Sequence, residues 1–329
     1  MNRNVATWQL LSQSLRQGVP AMLLYVVQSA GSSPGRQGFL MAVDAPGNMQ
    51  GSIGGGIMEH KLVQLAQELL TQPAPAASLH RQIHNKTAAH NQSGMICSGE
   101  QTVLLYPVHT TDAAAIQQLG TALQQEQTGT LTLTPAGLTF QADTVPAQDY
   151  LFEQESEMAW RYQEQIGYKH QLHIVGGGHC ALALSRLMRG LAFHVRLYEN
   201  RPQLNTFLAN DLAHHKTTVG SYVELQKLIP EGHKQYVVVM TFGYRTDDVA
   251  VRALLGKQLG FLGILGSRKK IEKLLADYRT DGIPPEQLQR LHAPVGLPIN
   301  SQTPEEIAIS IAAQLIAVKN GASPPAPLS

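Results

Sequence analysis

Apolar positions follow a helical period in some stretches of the chain and form unbroken short runs in others. Trp8, Leu11 and Leu15 recur at helical spacing, and Gly18-Val19-Pro20 closes the helix they define. "AMLLYVVQSA" (21–30) predicts a buried strand, and "FLMAVD" (39–44) a second one beyond the turn-rich loop "GSSPGRQG". The glycines of "GSIGGGIMEH" (51–60) precede a helix in which Met58, Leu62, Leu65 and Leu69 share a face. "EQTVLLYPV" (100–108) predicts another strand, and "GTLTLTPAGLTFQ" (129–141) a hairpin turning at Pro135-Ala136-Gly137. Residues 151–168 are polar with scattered aromatics and read as a connection.

From Leu172 the texture changes. "LHIVG", "FHVRLYE", "YVVVMTF" and "FLGILG" are short apolar strands separated by helix-sized segments, the alternation of a parallel, doubly wound sheet. In the last long element Thr303 is the predicted N-cap, with Pro304 at N1 and Glu306 at N3 of a capping box. Ile307, Ile311, Leu315 and Val318 form its apolar face. The expected fold class is α/β: a mixed α/β domain over 1–150, a connector over 151–171, a Rossmann-like parallel-sheet domain over 172–320 and a loose tail over 321–329.

Composition narrows the class. With 329 residues, 43% of them hydrophobic and 15% charged, the chain can bury a core in each of two domains. A formal net charge of +1 gives no overall field favouring nucleic acid or an anionic membrane, so neither is an expected partner. No apolar run approaches the length of a membrane span. The N-terminal residues read as an amphipathic helix and not as a secretory leader. Two cysteines, Cys97 and Cys180, are too few for a disulfide framework, and a reducing cytoplasm is the expected location.

Candidate chemistry gathers at two glycine turns. In "HIVGGGHCALAL" (173–184) Gly176, Gly178 and Ala181 fit G-x-G-x-x-A between a strand and an amphipathic helix whose sheet-facing residues are Ala181, Leu184, Leu187, Met188 and Leu191. Gly176 allows the tight turn, and Gly178 lets backbone approach a phosphate. Glu199, at the end of the next strand, stands where an acid binds a ribose hydroxyl. NAD(P) or another nucleotide is the ligand such a turn implies; His179 and Cys180 are unusual inside it. In "GSRKKIEKLLADY" Gly266 and the N-cap Ser267 lead into Arg268, Lys269 and Lys270, cations in a first helical turn where the macrodipole disfavours them. They read either as a solvated face or as a phosphate contact. Gly51, Ser52, Gly54, Gly55, Gly56 and Glu59 fit a tight backbone crossing or an anion cradle equally well. Cys97 reads as a packed thiol, a nucleophile or a soft metal ligand. His80, His84 and His90 match no closed zinc spacing. Tyr244, Arg245, Asp247 and Asp248, after the fourth strand of the second half, are candidate pocket residues, although the two aspartates would also suit a helix start.

Taken together, "VQSAGSSPGRQGFLMAV", "GSIGGGIMEH", "CSGE", "HIVGGGHCALAL", "LGSRKK" and "APVGLPINSQTPEEIAISIAAQLI" resemble, in order and context, the xanthine dehydrogenase accessory proteins of the XdhC/CoxI type. The resemblance implies an N-terminal XdhC/CoxI-type domain, a C-terminal Rossmann-type domain and a homodimer. It also implies a non-enzymatic chaperone that binds molybdopterin-type molybdenum cofactor, protects its sulfurated form and delivers it to a xanthine dehydrogenase-type hydroxylase, with a cysteine desulfurase as a further partner. The family's GSxGGGxxE block falls on Gly51 through Glu59, and its cofactor-binding cysteine on Cys97, placed near molybdenum. Two departures stand out. The common Cys-Gly-Gly is Cys97-Ser98-Gly99, and the common Thr-His-x-His is Thr241-Phe242-Gly243-Tyr244, without either histidine. Two other readings stay open at this level: an NAD(P)-dependent oxidoreductase, or a scaffold that holds the hydroxylase and no ligand.

Overall fold

The computed structural model describes residues 4–83, 99–191 and 193–321. It divides into two compact units, residues 2–167 and the residues from Tyr168 onward.

In the first unit α1 (Val5–Gln17) precedes β1 (Ala21–Ala30), β2 (Leu40–Asp44) and β3 (Met49–Gly51). Then come α2 (Gly56–Leu70), β4 (Ser78–Ile83), β5 (Glu100–Pro107) and α3 (Ala113–Gln124). The strands make an antiparallel sheet ordered β3-β2-β1-β5-β4. Alternate side chains of β1 enter two different cores. Leu23, Tyr25 and Val27 pack with Trp8, Leu11, Ile116 and Leu119 of α1 and α3. Met22, Leu24 and Val26 pack with Met58, Leu62 and Ala66 of α2. Burial on both faces accounts for the unbroken apolar run, which an antiparallel strand with one wet face would not carry. On α2 the buried stripe is rotated from the expected one: Val63, Ala66 and Leu70 are inside, while Leu65 and Leu69 are half-buried.

The expected connector is a correction. Its residues form β8 (Tyr150–Ser156) and β9 (Ala159–Ile166), which pair with β6 (Gly129–Thr134) and β7 (Gly137–Ala142) in a second antiparallel sheet ordered β7-β6-β9-β8. Trp160 and Tyr162 alternate with exposed Ala159 and Arg161, so the period of two was present beneath the polar composition. The charge that disguised it, Glu164, is buried and accepts hydrogen bonds from the hydroxyls of Tyr25 (2.6 Å) and Tyr162 (2.8 Å).

In the second unit the elements are β10 (His170–Val175), α4 (His179–Gly190), β11 (Phe193–Glu199), α5 (Asn205–Leu208), β12 (His215–Thr218), α6 (Leu225–Leu228) and β13 (Gly232–Val239). They continue as α7 (Tyr244–Leu254), β14 (Leu259–Ile264), α8 (Arg268–Thr280), α9 (Pro285–Gln289), β15 (Leu291–His292) and α10 (Pro304–Lys319). The six strands are all parallel, ordered β12-β11-β10-β13-β14-β15. The chain winds outward from β10 to β12 and then returns to β13, so the topological switch lies between β10 and β13. Helices α4 and α10 cover one face and α7 and α8 the other. The capping box of α10 forms as expected, with Thr303 Oγ1 accepting from the Glu306 amide (3.2 Å) and Glu306 Oε2 from the Thr303 amide (3.1 Å). The expected tail lies, from Ala322 on, outside the described residues.

Two stability predictions follow from this packing. His173 is buried, with Nε2 donating to Gln235 Oε1 (2.8 Å) and Nδ1 accepting from the Tyr198 hydroxyl (3.1 Å). His194, also buried, stacks on His214 with centroids 4.6 Å apart, and its Nδ1 has no partner. Burial pushes His173 down to about 4, and burial plus the neighbouring His214 pushes His194 down to about 3. Both folded values lie below the unfolded one, so their stabilisation is complete above about pH 6.5 and is lost as the pH falls toward 4. The slope is roughly 1.4 kcal/mol per pH unit for each group. Urea denaturation across that range measures it, and His194→Phe should reduce the slope by about one proton's worth. Separately, Gly120 lies inside α3, and a Cβ there would meet nothing within 4 Å. Gly120→Ala should therefore raise the unfolding free energy by about 1 kcal/mol in the same assay.

Candidate functional site

In the first unit, the glycine turn after β3 crosses other backbone at close range. A Cβ on Gly54 would lie 2.5 Å from the Gly35 nitrogen, and one on Gly99 would lie 2.5 Å from backbone of Ser32 and Ser33. Gln101 ties the same segments together, accepting from the Gly35 amide (3.0 Å) and donating to the Ile53 carbonyl (3.2 Å). Gly54, Gly55 and Gly56 all have positive φ, which side-chain-bearing residues rarely adopt. Glu59 Oε2 accepts from Ser52 Oγ (2.7 Å) and from the amides of Ile53 (2.8 Å) and Gly55 (3.0 Å), while Ser52 Oγ accepts from the Gly54 amide (3.1 Å). The carboxylate of Glu59 thus occupies the anion position at the start of α2. The turn is a tight crossing closed by its own acid, and Gly51, Gly56 and Ile57 are its exposed backbone. Cys97, His84 and His90 lie outside the described residues; His80 is on β4 with Nε2 2.9 Å from Ser78 Oγ.

The second turn joins β10 to α4 at the topological switch. A Cβ on Gly176 would lie 2.4 Å from the Met240 carbonyl oxygen, so glycine is needed for the crossing of the β10 and β13 ends. Glu199, expected to take a ribose hydroxyl, is instead committed within the protein. It is fully buried. Its Oε2 accepts from the Gly177 amide (2.6 Å) and Arg201 Nη2 (3.0 Å). Its Oε1 accepts from the amides of Asn200 and Arg201 (3.0 Å each), from Arg201 Nε (2.9 Å) and from the Tyr222 hydroxyl (3.3 Å). These donors fill the acceptor sites of a carboxylate. Burial alone would raise its pKa, but the Arg201 fork and the amides outweigh that and hold it below the ordinary value. Above Gly177, Thr206 Oγ1 donates to its carbonyl (2.5 Å), and Phe207 would lie 2.9 Å from an added Cβ. Only Gly178, with open space where a Cβ would stand, and the exposed His179 face outward.

The ends of β13 and β14 repeat this arrangement. Asp247 is fully buried, with Oδ1 accepting from the Thr241 amide (2.9 Å) and hydroxyl (2.7 Å) and Oδ2 paired with Lys270 Nζ. Lys270 also donates to the Leu265 carbonyl (2.7 Å), and a Cβ on Gly266 would run into its stem at 2.6 Å. The third cation of the "SRKK" run is therefore a strut. Ser267 is the N-cap of α8, accepting from the Lys270 amide at 3.4 Å, and Arg268 and Lys269 are exposed. Tyr244 bonds Asp277 across to α8, and Asp248 bonds Arg252 (2.8 Å), so neither is a pocket group. Arg201 went unnoticed in the sequence, and Phe242 was noted there only as a departure from Thr-His-x-His. Phe242 is 85% exposed, and the Arg201 guanidinium sits 5.2 Å from its ring centroid. The signal was an arginine two residues after the strand-end acid.

Neighbouring strand ends in the order β11, β10, β13, β14 thus present Arg201, Gly178 and His179, Phe242, and Arg268 with Lys269. The acids Glu199 and Asp247 are turned inward and paired. Such an edge can bind an anionic ligand with an aromatic ring, and neither Glu199 nor Asp247 is free to act as a base. Among the described residues no cluster of three or more His, Cys, Asp or Glu could hold a metal ion, and no helix is long and apolar enough to cross a membrane.

Comparison with known proteins agrees with this layout. Residues 172–315 match the XdhC Rossmann domain, and residues 14–81 match the XdhC and CoxI family. The chain is 26% identical over 311 residues to the uncharacterized protein YqeB of Escherichia coli, covering 93% of this chain and 45% of that one. It is 28% identical over 165 residues to a probable xanthine dehydrogenase subunit of Bacillus subtilis, covering 50% of this chain and 47% of that one. The chain therefore spans about half the length of these curated relatives. A crystal structure from Bacillus halodurans, described as a xanthine dehydrogenase, superposes with a TM-score of 0.68 at 23% identity over 99% of this chain and 98% of that one, which shows a shared fold. The N-terminal glycine-rich unit and the parallel-sheet unit that follows it make this chain a member of the XdhC/CoxI family.

Proposed function

We propose that this protein acts in the maturation of a xanthine dehydrogenase-type molybdenum hydroxylase, by binding a molybdopterin-type cofactor and handing it on. The observation that carries the reading is the division of charge at the C-terminal edge of the parallel sheet. Glu199 and Asp247 are buried and paired, whereas Arg268, Lys269 and Phe242 are exposed, and the half-buried Arg201 bridges Glu199 and the Phe242 ring. A phosphorylated, planar, anionic cofactor fits that donor set. Arg268, Lys269 and the amides at the start of α4 would hold phosphate, and Phe242 with Arg201 would meet a ring. When bound, the cofactor supplies the molybdenum and its terminal sulfur. Cys97 keeps the role that family membership suggests, a soft donor toward the metal. A homodimer, a cytoplasmic location and docking of a cysteine desulfurase belong to the same reading.

The oxidoreductase alternative draws its support from the G-x-G-x-x-A turn, but Glu199 has no acceptor left for a ribose and Phe207 crowds Gly177. Protein purified anaerobically from a cofactor-making host should carry about one cofactor per chain by mass spectrometry. The double substitution Arg268→Gln/Lys269→Gln should weaken its retention about tenfold, and Cys97→Ala should weaken retention of the sulfurated form. Unchanged retention in both variants rejects the assignment. Micromolar NAD(P) binding with hydride transfer would instead establish the oxidoreductase, and capture of the hydroxylase that survives loss of cofactor synthesis would favour a ligand-free scaffold.

A further inference from the structure

The sheet's other pole carries a second cationic feature. Strand β15 pairs with β14 only at Leu262 and Gly263, so Leu259, Gly260 and Phe261 continue along an edge that β15 leaves uncovered. Beside that edge lies a crevice of about 160 Å³, lined among others by Lys257, Gly260, Phe261, Gln287, Arg290 and His292. It sits at the N-terminal end of β14, away from Arg268 and Lys269, and none of its lining residues is acidic.

Its donors are held in place. Arg290 Nη2 donates to the Lys257 carbonyl (2.8 Å), tying the residue before β15 to the loop after α7 and leaving the rest of the guanidinium unengaged. Neither Lys257 nor Arg290 pairs with a carboxylate among the described residues. His292 lies flat on Phe261, with centroids 4.3 Å apart and planes at 9°. Its tautomer is set from behind. Gln314 Oε1 accepts from the Gly296 amide (2.6 Å), which turns the Gln314 amide nitrogen toward His292 Nδ1 (3.4 Å). Nδ1 therefore accepts, and the neutral ring carries its proton on Nε2. A lysine, an arginine with part of its guanidinium unengaged and a histidine with its proton on Nε2 line one small crevice.

We propose that this crevice is a binding site for a small oxyanion, a phosphate group or a short carboxylate. Its volume equals that of about five waters, enough for such a group and too little for a whole nucleotide or pterin. Arg290 supplies a planar fork, Lys257 a point charge and His292 a directional neutral donor, a set that discriminates by shape as well as charge. The site is independent of the cofactor-binding reading and uses none of its residues.

Calorimetric titration of the full chain with inorganic phosphate and, separately, with succinate tests this at ionic strength balanced with potassium chloride. Saturable binding of one of them at one site per chain is expected in the Arg268→Gln/Lys269→Gln background, which removes the side-chain phosphate contacts of the other edge, and adding Arg290→Gln or Lys257→Gln should weaken it about tenfold. Preference for phosphate identifies a phosphoryl group as the natural ligand, and preference for succinate a carboxylate. No saturable binding of either up to about 10 mM overturns the proposal. So does binding that both crevice variants retain, or binding lost in the Arg268/Lys269 variant instead. Near-UV circular dichroism and the urea midpoint, unchanged in Arg290→Gln and Lys257→Gln, separate loss of the site from loss of the fold.

Discussion

A carboxylate taken out of water must find compensating donors, and an unpaired one costs several kcal/mol. The C-terminal edge of the parallel sheet is organised by how Glu199 meets that demand. It draws in the Gly177 amide from the β10 turn, two amides from its own chain, the Tyr222 hydroxyl and both ends of the Arg201 fork. One side chain thereby fixes the turn at the topological switch, the segment after β11 and the orientation of an arginine. Asp247 does the same for the next pair of strands, holding the backbone after β13 on one oxygen and Lys270 on the other. The negative charge of both strand-end acids is consumed inside, and the rim they support carries Arg268, Lys269, His179 and the Phe242 ring.

The N-terminal glycine turn uses the same device with a different result. Glu59 closes the turn on itself, and its oxygen stands where an anion would bind. Gly54 is needed because the turn lies against the Pro34-Gly35 backbone with no room for a Cβ, while Gly55 and Gly56 are favoured by their positive φ. Each of the two glycine runs is explained first by a backbone crossing, and the outward chemistry belongs to their neighbours.

Much of this was legible in the sequence wherever local pattern and global packing agree. The parallel strands, the capping box at Thr303 and the run buried on both faces in β1 are readable because apolar composition tracks burial. The strand pair over 150–166 was hidden because a buried Glu164, which accepts from the distant Tyr25 and from Tyr162 on its own strand, makes a core strand look polar. The roles of Glu199 and Lys270 were hidden for a related reason. Spacing locates an acid at a strand end or a lysine in a first helical turn, but not whether its partners come from the ligand or from segments tens of residues away. Lys270 pairs with Asp247, 23 positions earlier, and no local rule reports that contact.

The replacement of histidines after β13 follows the same logic. Against the Thr-His-x-His expected from the resemblance, this chain has Phe242 and Tyr244. The Tyr244 hydroxyl is spent on Asp277, joining α7 to α8, and Phe242 stands exposed beneath the Arg201 guanidinium. Neither side chain can relay a proton near neutral pH: a phenylalanine has none to give, and Tyr244 is pushed up to about 12 by its bond to Asp277. With its strand-end acids paired inside and cations and amides outside, the edge suits holding an anionic ligand. In the proposed reading, reactivity belongs to what is carried, and this chain's part is to keep cations, amides and one aromatic face aligned around it.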